Sequence, residues 1–341
     1  DFTIFNLEVP LTDVISPLQK CGPNLQALSK TINGIKKLNP YFFTLANNHI
    51  LDQSVQGLKA TMEILNRENI KYAGAGNDLK EASKPFVFEK NGIKIGIYCC
   101  AEREFSIATE NKAGANPFDP LFSLDHIRLL KKDVNYVIVL YHGGKEHYRF
   151  PSPNLQKTCR RIVDSGADLV VCQHSHCIGC YEDWETGKII YGQGNFLFDD
   201  SDSEFWKTSL LIEIIFKSKN DFSIEYIPIV KVGNGIRLAE NEKKVEIING
   251  FEDRSKRIIE SAFIETEYSK FAQQYINTYL RTGMPHNTSL FNRVFNKLSK
   301  GTWFERRITK EQKLALCNYL ECEAHRELFL QGLKESLRKS S

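Results

Sequence analysis

Two long apolar runs in this sequence end in histidine. Tyr136–Tyr141 leads directly into His142, and Leu169–Cys172 leads through Gln173 into His174. Runs of Val, Ile and Leu without polar alternation are typical of strands buried on both faces of a sheet. Because open α/β sheets carry their chemistry at the carboxyl ends of the strands, the pattern predicts two imidazoles at one edge of such a sheet. Metal ligation is the first use to consider for them.

The segments before these runs alternate between strand-like and helix-like patterns. Phe2–Phe5 and Tyr41–Ala46 are typical of buried strands, whereas Gln53–Asn69 has apolar residues spaced to form one helix face. Asn91-Gly92 separates two further strand-like runs and favours a β-hairpin. Residues 102–120 have the composition of a long surface loop. The alternation of strands and helices predicts an α/β sandwich.

The second half of the chain changes from strand-like to helix-like patterns. Two more strands, Leu210–Phe216 and Phe222–Val230, are predicted to pair antiparallel, and helical spacing of apolar residues follows. We therefore expect an α/β domain over residues 1–249 and a helical subdomain over residues 250–341. A Lys-Arg cluster at residues 300–310 could touch phosphate groups, but a solvated helix face is the favoured interpretation.

Charge and cysteine content limit the possible partners and compartments. With 45 Lys and Arg against 42 Asp and Glu, the net charge of +3 is too small to indicate a nucleic acid or membrane partner, so no nucleic acid is expected. Nine cysteines, an odd number, favour a reducing compartment and hence the cytoplasm. The chain opens on the strand-like run Asp1–Asn6 without an initiating Met. We therefore expect an amino-terminal truncation, with a membrane or cell-envelope anchor only in the missing segment.

Several polar residues that follow the apolar strand runs are candidate metal ligands. They are Glu8 after the first strand, Asn48 and His49 after the second, and His142, His174 and His176 after the two histidine-ended runs. Any one of them alone is more often a packed or surface side chain. Their shared placement supplies mixed nitrogen and oxygen donors, which suit Zn, Mn or Fe, whereas Mg or Ca prefers oxygen alone. A centre of two metals needs a bridging carboxylate as well, and Glu8 is the candidate.

Three cysteines bracket the last two histidines, namely Cys172, Cys177 and Cys180. The spacing of Cys177 and Cys180 is the CxxC spacing that zinc and redox sites use. Because a lone CxxC without a second pair is a weak signal, we expect structural thiols. Such thiols could still make the site sensitive to oxidation.

Six short motifs occur in order between residues 1 and 199. They are Asn6-Leu7-Glu8, Ala46-Asn47-Asn48-His49 with Asp52, Gly74-Ala75-Gly76, His142-Gly143-Gly144 with Glu146, His174-Ser175-His176, and Gly194-Asn195-Phe196. This ordered set resembles the CapA family, which is linked to capsule and poly-γ-glutamate synthesis and is similar in fold to the calcineurin-like metallophosphoesterases. The resemblance implies a four-layer α/β/β/α sandwich of the metallophosphoesterase type, amino-terminally truncated. It does not extend to the carboxyl-terminal helical region.

The resemblance also implies roles for individual residues and a centre of two divalent ions, Mn, Zn or Fe. Asn48 would bind a metal ion through its amide oxygen, His49 would protonate a leaving group, and Asp52 would orient His49. The other metal ligands that it implies are Glu8 at the bridging position, His142, His174 and His176. The side chains expected to contact a ligand or the substrate are Asn47, Glu146 and Asn195. For Glu146, a solvent-facing loop charge is an equal alternative.

Two departures from the family pattern bear on the site. The family's first motif, a Gly-Asp at the end of a first strand, would lie upstream of Asp1, and without that aspartate we expect one metal ion to bind poorly. The family's Gly-His-His-Pro-His motif reads Cys172-Gln173-His174-Ser175-His176 here. Two of its histidines are therefore kept and one is lost.

Three functions remain open from the sequence. The first is a metal-dependent hydrolase of the CapA type, which activates water against a phosphoester or amide of a small-molecule or anionic polymer substrate in capsule or poly-γ-glutamate biosynthesis. The second is a non-catalytic component that binds a polyanion or assists a capsule-synthesis complex. The third is a general phosphodiesterase or nucleotidase. Because Asn48, His49 and three further histidines are kept, a metal site is favoured over a bare scaffold, and the first function is our prediction.

Overall fold

A computed structural model describes residues 2–198, 203–283, 297–298 and 308–339 of the chain. Its strands are β1 (Ile4–Asn6), β2 (Phe42–Thr44), β3 (Lys71–Ala73), β4 (Ala75–Gly76), β5 (Phe86–Lys90), β6 (Ile93–Ala101), β7 (Gly114–Ala115), β8 (Tyr136–His142), β9 (Leu169–Gln173), β10 (Tyr181–Trp184), β11 (Gly187–Ile190), β12 (Thr208–Phe216), β13 (Phe222–Val232) and β14 (Gly235–Leu238). Its helices are α1 (Ile32–Ile35), α2 (Ser54–Arg67), α3 (Leu79–Ala82), α4 (Ser123–Asp133), α5 (Pro153–Asp164), α6 (Glu204–Lys207), α7 (Asn241–Arg257), α8 (Phe263–Gly283), α9 (Lys310–Glu321) and α10 (Glu323–Lys339). The basic cluster predicted at residues 300–310 lies outside the described residues as far as residue 307.

The central feature is a six-stranded sheet in the order β10-β11-β9-β8-β6-β5. Its four inner strands run parallel, and both edge strands are antiparallel to their neighbours. All residues of β8 are buried, as their apolar sequence predicted. His142 lies in register with Ala101 of β6 and Gln173 of β9. The carboxyl ends of three strands therefore meet at one edge of this sheet.

Two smaller sheets pack on one face of the six-stranded sheet. They are the parallel sheet β1-β2-β3 and the antiparallel sheet β12-β13-β14. Phe42 of β2, Ile138 of β8 and Leu210 of β12 belong to one buried cluster, so all three sheets share this core. Each fully buried apolar side chain of this size contributes about 1.5–3 kcal/mol. The predicted antiparallel pairing of Leu210–Phe216 with Phe222–Val230 is confirmed.

Helices cover both outer faces of the stacked sheets. Helix α2 buries Leu58 and Leu65 in a cluster with Phe43 of β2. Helices α4 and α5 bury Ile127 and Ile162 against the opposite face of the six-stranded sheet. The resulting order is helix, sheet layer, sheet, helices, so the predicted four-layer α/β/β/α sandwich is confirmed.

Two local predictions are confirmed as well. The helix predicted over Gln53–Asn69 is α2, with its ends displaced by one or two residues. The hairpin predicted at Asn91-Gly92 joins β5 to β6. Both turn residues have positive φ, 54° and 73°, as a two-residue hairpin turn of this kind requires.

Residues 102–120 are only in part the surface loop that their composition predicted, since residues 103–105 and 109–112 are exposed and residues 113–117 are buried. Ser106 and Asn116 within this segment are buried, and its short strand β7 pairs with β4. The backbone N–H of Asn116 donates to the Gly74 carbonyl at 2.8 Å, and its side-chain amide donates to the Cys99 carbonyl at 2.8 Å. The small residues Ala113, Gly114 and Ala115 allow this part of the segment to lie against the strands, and composition alone did not indicate it.

The contacts divide the chain into two compact units, Asp1–Glu265 and Thr266–Ser341. The domain boundary expected between residues 249 and 250 falls inside α7, which is part of the first unit and buries Phe251 in the core between the sheets. In the second unit, α9 begins with a capping box between Thr309 and Gln312. Among the described helices, none combines the length and apolar composition that a bilayer span requires.

Candidate metal centre

The carboxyl ends of the parallel strands gather the predicted ligands at one edge of the stacked sheets. Strand β1 ends just before Glu8, β8 ends at His142, and β9 ends just before His174. The loop after β2 carries Asn48, whose amide oxygen reaches His142. Ligands from four chain segments far apart in sequence therefore meet in space, as expected for the carboxyl edges of neighbouring parallel strands.

The ring nitrogen Nε2 of His142 is close to atoms of three other candidate ligands. It is 3.0 Å from Asn48 Oδ1, 3.1 Å from His174 Nδ1 and 3.6 Å from Glu8 Oε1. Glu8 Oε1 is also 3.8 Å from His176 Nε2. The potential ligand atoms form two groups, and within each group all atoms lie within 4.8 Å of one another. The first group comes from Glu8, His142 and His174, and the second comes from Glu146, His174 and His176. Glu8 contacts histidines of both groups, which is the position of a bridging carboxylate.

The charges of these residues fit a divalent cation. Burial and, to a smaller extent, the neighbouring Glu146 carboxylate together raise the pKa of Glu8 to about 8. Burial lowers the pKa of His174 to about 4 and also lowers the pKa of His142 and His176, so all three imidazoles are neutral at pH 7. Glu8 Oε1 is buried without a hydrogen-bond partner among the described residues. Neutral ring nitrogens beside a carboxylate that lacks a counter-charge are the donor set that Zn, Mn or Fe takes.

The two histidines after β9 are held in an unusual backbone conformation. His174 and His176 have φ of 94° and 54°, in a region that costs about 1–3 kcal/mol for a residue with a side chain. The Asn195 side chain helps to fix one of them, because its Oδ1 lies 2.8 Å from His176 Nδ1. With the Nδ1 proton donated to this oxygen, His176 directs the lone pair of Nε2 towards Glu8.

Asn47 lies beneath the centre and is fully buried. Its amide nitrogen donates to Asn6 Oδ1 at 3.1 Å and to the Leu7 carbonyl at 2.9 Å, and its Oδ1 accepts the His49 backbone N–H at 3.1 Å. Asn6 in turn donates to Glu8 Oε2 at 3.0 Å. Through these bonds Asn47 joins the loops after β1 and β2 and, by way of Asn6, supports the Glu8 carboxyl group.

His49 and Asp52 form the pair that the resemblance implied. His49 Nδ1 lies 2.6 Å from Asp52 Oδ2, and the other carboxylate oxygen lies 2.6 Å from Lys20 Nζ. His49 contributes to the lowered pKa of His142, His174 and His176, since it is close enough to repel their positive forms. Lys20 was missed by sequence reasoning because it lies in an irregular loop that carries no periodic pattern.

Two glutamates lie at the rim of the centre. Glu146 Oε1 is 4.0 Å from His174 Nε2, and its side chain is 44% exposed, so both alternatives given for it are met in part. Glu102 follows β6 directly and accepts the Gly144 backbone N–H at 3.2 Å, and burial raises its pKa. The sequence contained the signal for Glu102, because it is a carboxylate at a strand end like Glu8.

An aromatic surface beside His176 was also missed. The Trp206 ring stacks on the His176 ring with centroids 5.0 Å apart and planes at 14°, and the Phe198 ring lies 5.0 Å away. His147 stacks on Phe205 at 5.6 Å. The contacts with Trp206 and Phe198 restrain the orientation of the His176 ring. Nothing in the spacing of these aromatic residues distinguishes them from an ordinary core.

The cysteines do not form a metal or redox site among the described residues. Cys177 and Cys180 are buried, and no cysteine belongs to either group of potential metal ligands in this part of the chain. Burial raises the pKa of both thiols. A buried thiol of raised pKa reacts slowly, so the expected structural role of Cys177 and Cys180 fits, and sensitivity of the site to oxidation stays a prediction.

Comparisons with known proteins agree with the family that the motifs indicated. A sequence model described as bacterial capsule synthesis protein PGA_cap matches residues 1–200, more than half of the 341 residues. The PGA biosynthesis protein CapA of Bacillus subtilis is 30% identical over 234 residues, which cover 67% of this chain and 61% of that protein. The capsule biosynthesis protein CapA of Bacillus anthracis is 27% identical over 238 residues, 67% of this chain and 58% of that protein. The chain thus spans about three fifths of the length of these relatives.

Two solved structures have distant similarity to the chain. A phosphatase from Mycoplasma pneumoniae aligns with a TM-score of 0.43 and 16% identity, covering 67% of this chain and 82% of that chain. A 5'-nucleotidase from Candida albicans aligns with a TM-score of 0.38 and 14% identity, covering 73% of this chain and 44% of that chain. The resemblance to the CapA family that the six motifs indicated is confirmed by the sequence matches.

Proposed function

The chain belongs to the bacterial capsule synthesis protein family PGA_cap, and from this premise we propose that it is a metal-dependent hydrolase acting in capsule or poly-γ-glutamate biosynthesis. One observation carries the proposal. Glu8, Asn48, His142, His174 and His176 converge on one centre, and the His49–Asp52 pair lies beside it.

In this proposal the chain holds two divalent cations, Mn, Zn or Fe. When bound, such ions supply a water of lowered pKa and a positive charge beside a phosphoryl or carbonyl oxygen. The first would be held by Asn48, Glu8, His142 and His174, and the second by His176, Glu146 and the shared residues. His176 keeps the tautomer it needs because Asn195 accepts its Nδ1 proton.

His49 is the proton donor of the proposed reaction. Its Nδ1 is bound to Asp52 at 2.6 Å, so a proton carried on Nε2 is the one available to a leaving group. The substrate would be a phosphoester, or an amide at the end of an anionic polymer. The names of the Bacillus relatives support a capsule or poly-γ-glutamate setting for it.

The first experiment measures metal content and hydrolysis in parallel. The protein is freed of metal by chelation, reloaded with Mn²⁺ or Zn²⁺, and analysed by elemental mass spectrometry and with bis-p-nitrophenyl phosphate and a γ-glutamyl oligomer as substrates. We expect one metal ion to bind tightly, a second to bind more weakly, and turnover of one substrate. His49→Ala should lower kcat roughly 100-fold or more and leave the metal content unchanged. His325→Ala, an exposed histidine of α10, is the matched control.

The possible outcomes separate the functions. No bound metal would reject the hydrolase proposal. Stoichiometric metal without turnover of either substrate would favour the non-catalytic role in a capsule-synthesis complex. Turnover of the phosphodiester alone, by the wild type and not by His49→Ala, would favour a phosphodiesterase.

A further inference from the structure

Lys20 is a buried cation in a part of the chain without regular secondary structure. Its side chain is 2% exposed, and its Nζ lies 2.6 Å from Asp52 Oδ1. The same nitrogen is 3.4 Å from His49 Nδ1 and 5.3 Å from the centre of the Phe105 ring. A buried ammonium is unfavourable unless a carboxylate pairs with it, so the position of Lys20 is determined by Asp52.

The carboxylate of Asp52 divides its two oxygens between different partners. Oδ2 accepts the Leu25 backbone N–H at 2.6 Å and lies 2.6 Å from His49 Nδ1, whereas Oδ1 faces Lys20 alone. Asp52 is fully buried, so water cannot replace Lys20 there. If the ammonium is removed, Oδ1 becomes an unsatisfied buried acceptor, and the carboxylate gains by rotating away from His49.

The loop that carries Lys20 has other attachments to the same region. The Leu18 backbone N–H donates to the Asp52 carbonyl at 3.0 Å, and the Ser16 backbone N–H donates to Gln53 Oε1 at 2.7 Å. The Ser54 hydroxyl donates to the Ser16 carbonyl at 2.8 Å. These bonds do not involve Lys20, so the loop stays attached when the ammonium is lost. An effect on His49 can therefore be separated from loss of the loop.

We propose that Lys20 is a positioning residue for His49, acting through Asp52. Lys20 fixes one oxygen of the Asp52 carboxylate by its ion pair. The other oxygen then accepts the Nδ1 proton of His49, and the His49 ring is oriented with Nε2 towards the metal centre. The expected loss of activity in Lys20 variants rests on the proposed role of His49 as proton donor. The expected change in the orientation of the His49 ring does not, because it concerns only atoms of this chain.

Nuclear magnetic resonance of the histidine rings tests the position directly. In protein labelled with ¹⁵N-histidine and loaded with Zn²⁺, the Nδ1 proton of His49 should give a slowly exchanging signal, assigned by its loss in His49→Gln. Lys20→Met keeps the length of the side chain and removes its charge. We expect this variant to lose the signal, or to exchange it at least roughly tenfold faster. Lys20→Arg should keep it, and Lys37→Met at an exposed position should change nothing.

Kinetics give the second measurement. Lys20→Met should lower kcat roughly 10- to 100-fold with little change in KM, and Lys20→Arg should restore most of the loss. An unchanged His49 signal in a folded Lys20→Met variant would overturn the proposal. If Lys20→Met and Lys20→Arg lose the His49 signal to the same extent and lower the melting temperature equally, the proposal is also overturned in favour of a purely structural role. If the wild type hydrolyses nothing, the hydrolase function fails while the ring signal still decides the role of Lys20.

Discussion

At the scale of single residues, Glu8 is the side chain whose ionisation depends most on a cation. Burial raises its pKa to about 8, so in the metal-free protein at pH 7 it is mostly protonated. A bound divalent ion requires the carboxylate and must displace that proton. His142, His174 and His176 release none at pH 7, because burial has already lowered their pKa values. Metal binding should therefore release about one proton from this site.

Isothermal titration in buffers of different ionisation enthalpy measures that proton. The release should be nearly complete at pH 6 and should decline as the pH rises through about 8, since Glu8 then ionises without metal. Glu8→Gln should abolish this component and weaken metal binding roughly 10- to 100-fold. If the variant releases as many protons as the wild type, the proton comes from another group, such as the bound water.

The site residues that the sequence predicted share one kind of position. His142 and His174 could be found because each ends an apolar run, and the run itself specifies a strand whose end lies at the edge of a sheet. Lys20 and Trp206 could not be found in this way. Each contacts a site residue far away in sequence. Neither follows a periodic segment that would indicate which part of the fold its side chain faces.

At the scale of elements, the contact between the β3–β4 corner and the loop after β2 sets the position of Asn48. Gly74 has a φ of +91°, and a Cβ there would lie 2.7 Å from Ala46 Cβ and 2.9 Å from the Ala46 backbone nitrogen. Gly74→Ala therefore combines an unfavourable conformation with a clash against backbone. We expect it to destabilise the protein by about 3 kcal/mol or more and to lower metal affinity.

Gly92→Ala is the matched control for this substitution. Gly92 also has a positive φ, +73°, but a Cβ there meets no atom within 4 Å. Gly92→Ala should lower the free energy of unfolding by only about 1–2 kcal/mol and leave metal affinity unchanged. Denaturant unfolding and metal titration of both variants provide the comparison. Equal destabilisation by the two would mean that the Gly74–Ala46 contact relaxes easily and does not position the loop.

The elements themselves were predictable to different degrees. Strands such as β8 and helices such as α2 have strong periodic patterns, and their burial follows from that pattern. The segment at residues 102–120 has no such pattern, and its burial depends on Asn116 reaching Gly74 and Cys99. Composition reports which residues are small, but it does not report which backbone they lie against.

At the scale of the whole molecule, every residue of the candidate centre lies in the unit Asp1–Glu265. The three clusters of buried residues found among the described residues belong to the four layers of this unit. Shortening the chain after Gly283 removes both helices and keeps α8. We expect metal content, kcat and KM to stay within about twofold of the wild type, since none of the described residues beyond Gly283 shares a hydrogen bond or ion pair with the site.

Elemental analysis, the hydrolysis assay and thermal unfolding of the shortened chain check this expectation, with His142→Ala in the full chain as the variant that must lose metal. A shortened chain that keeps its melting transition but loses metal would mean that residues beyond Gly283 complete the centre. A shortened chain could instead keep its metal and its activity on bis-p-nitrophenyl phosphate but lose activity on a polymer. That result would assign the helical unit to polymer binding. Because the two losses require different contacts, the pair of assays separates a structural contribution to the metal centre from a contribution to substrate recognition.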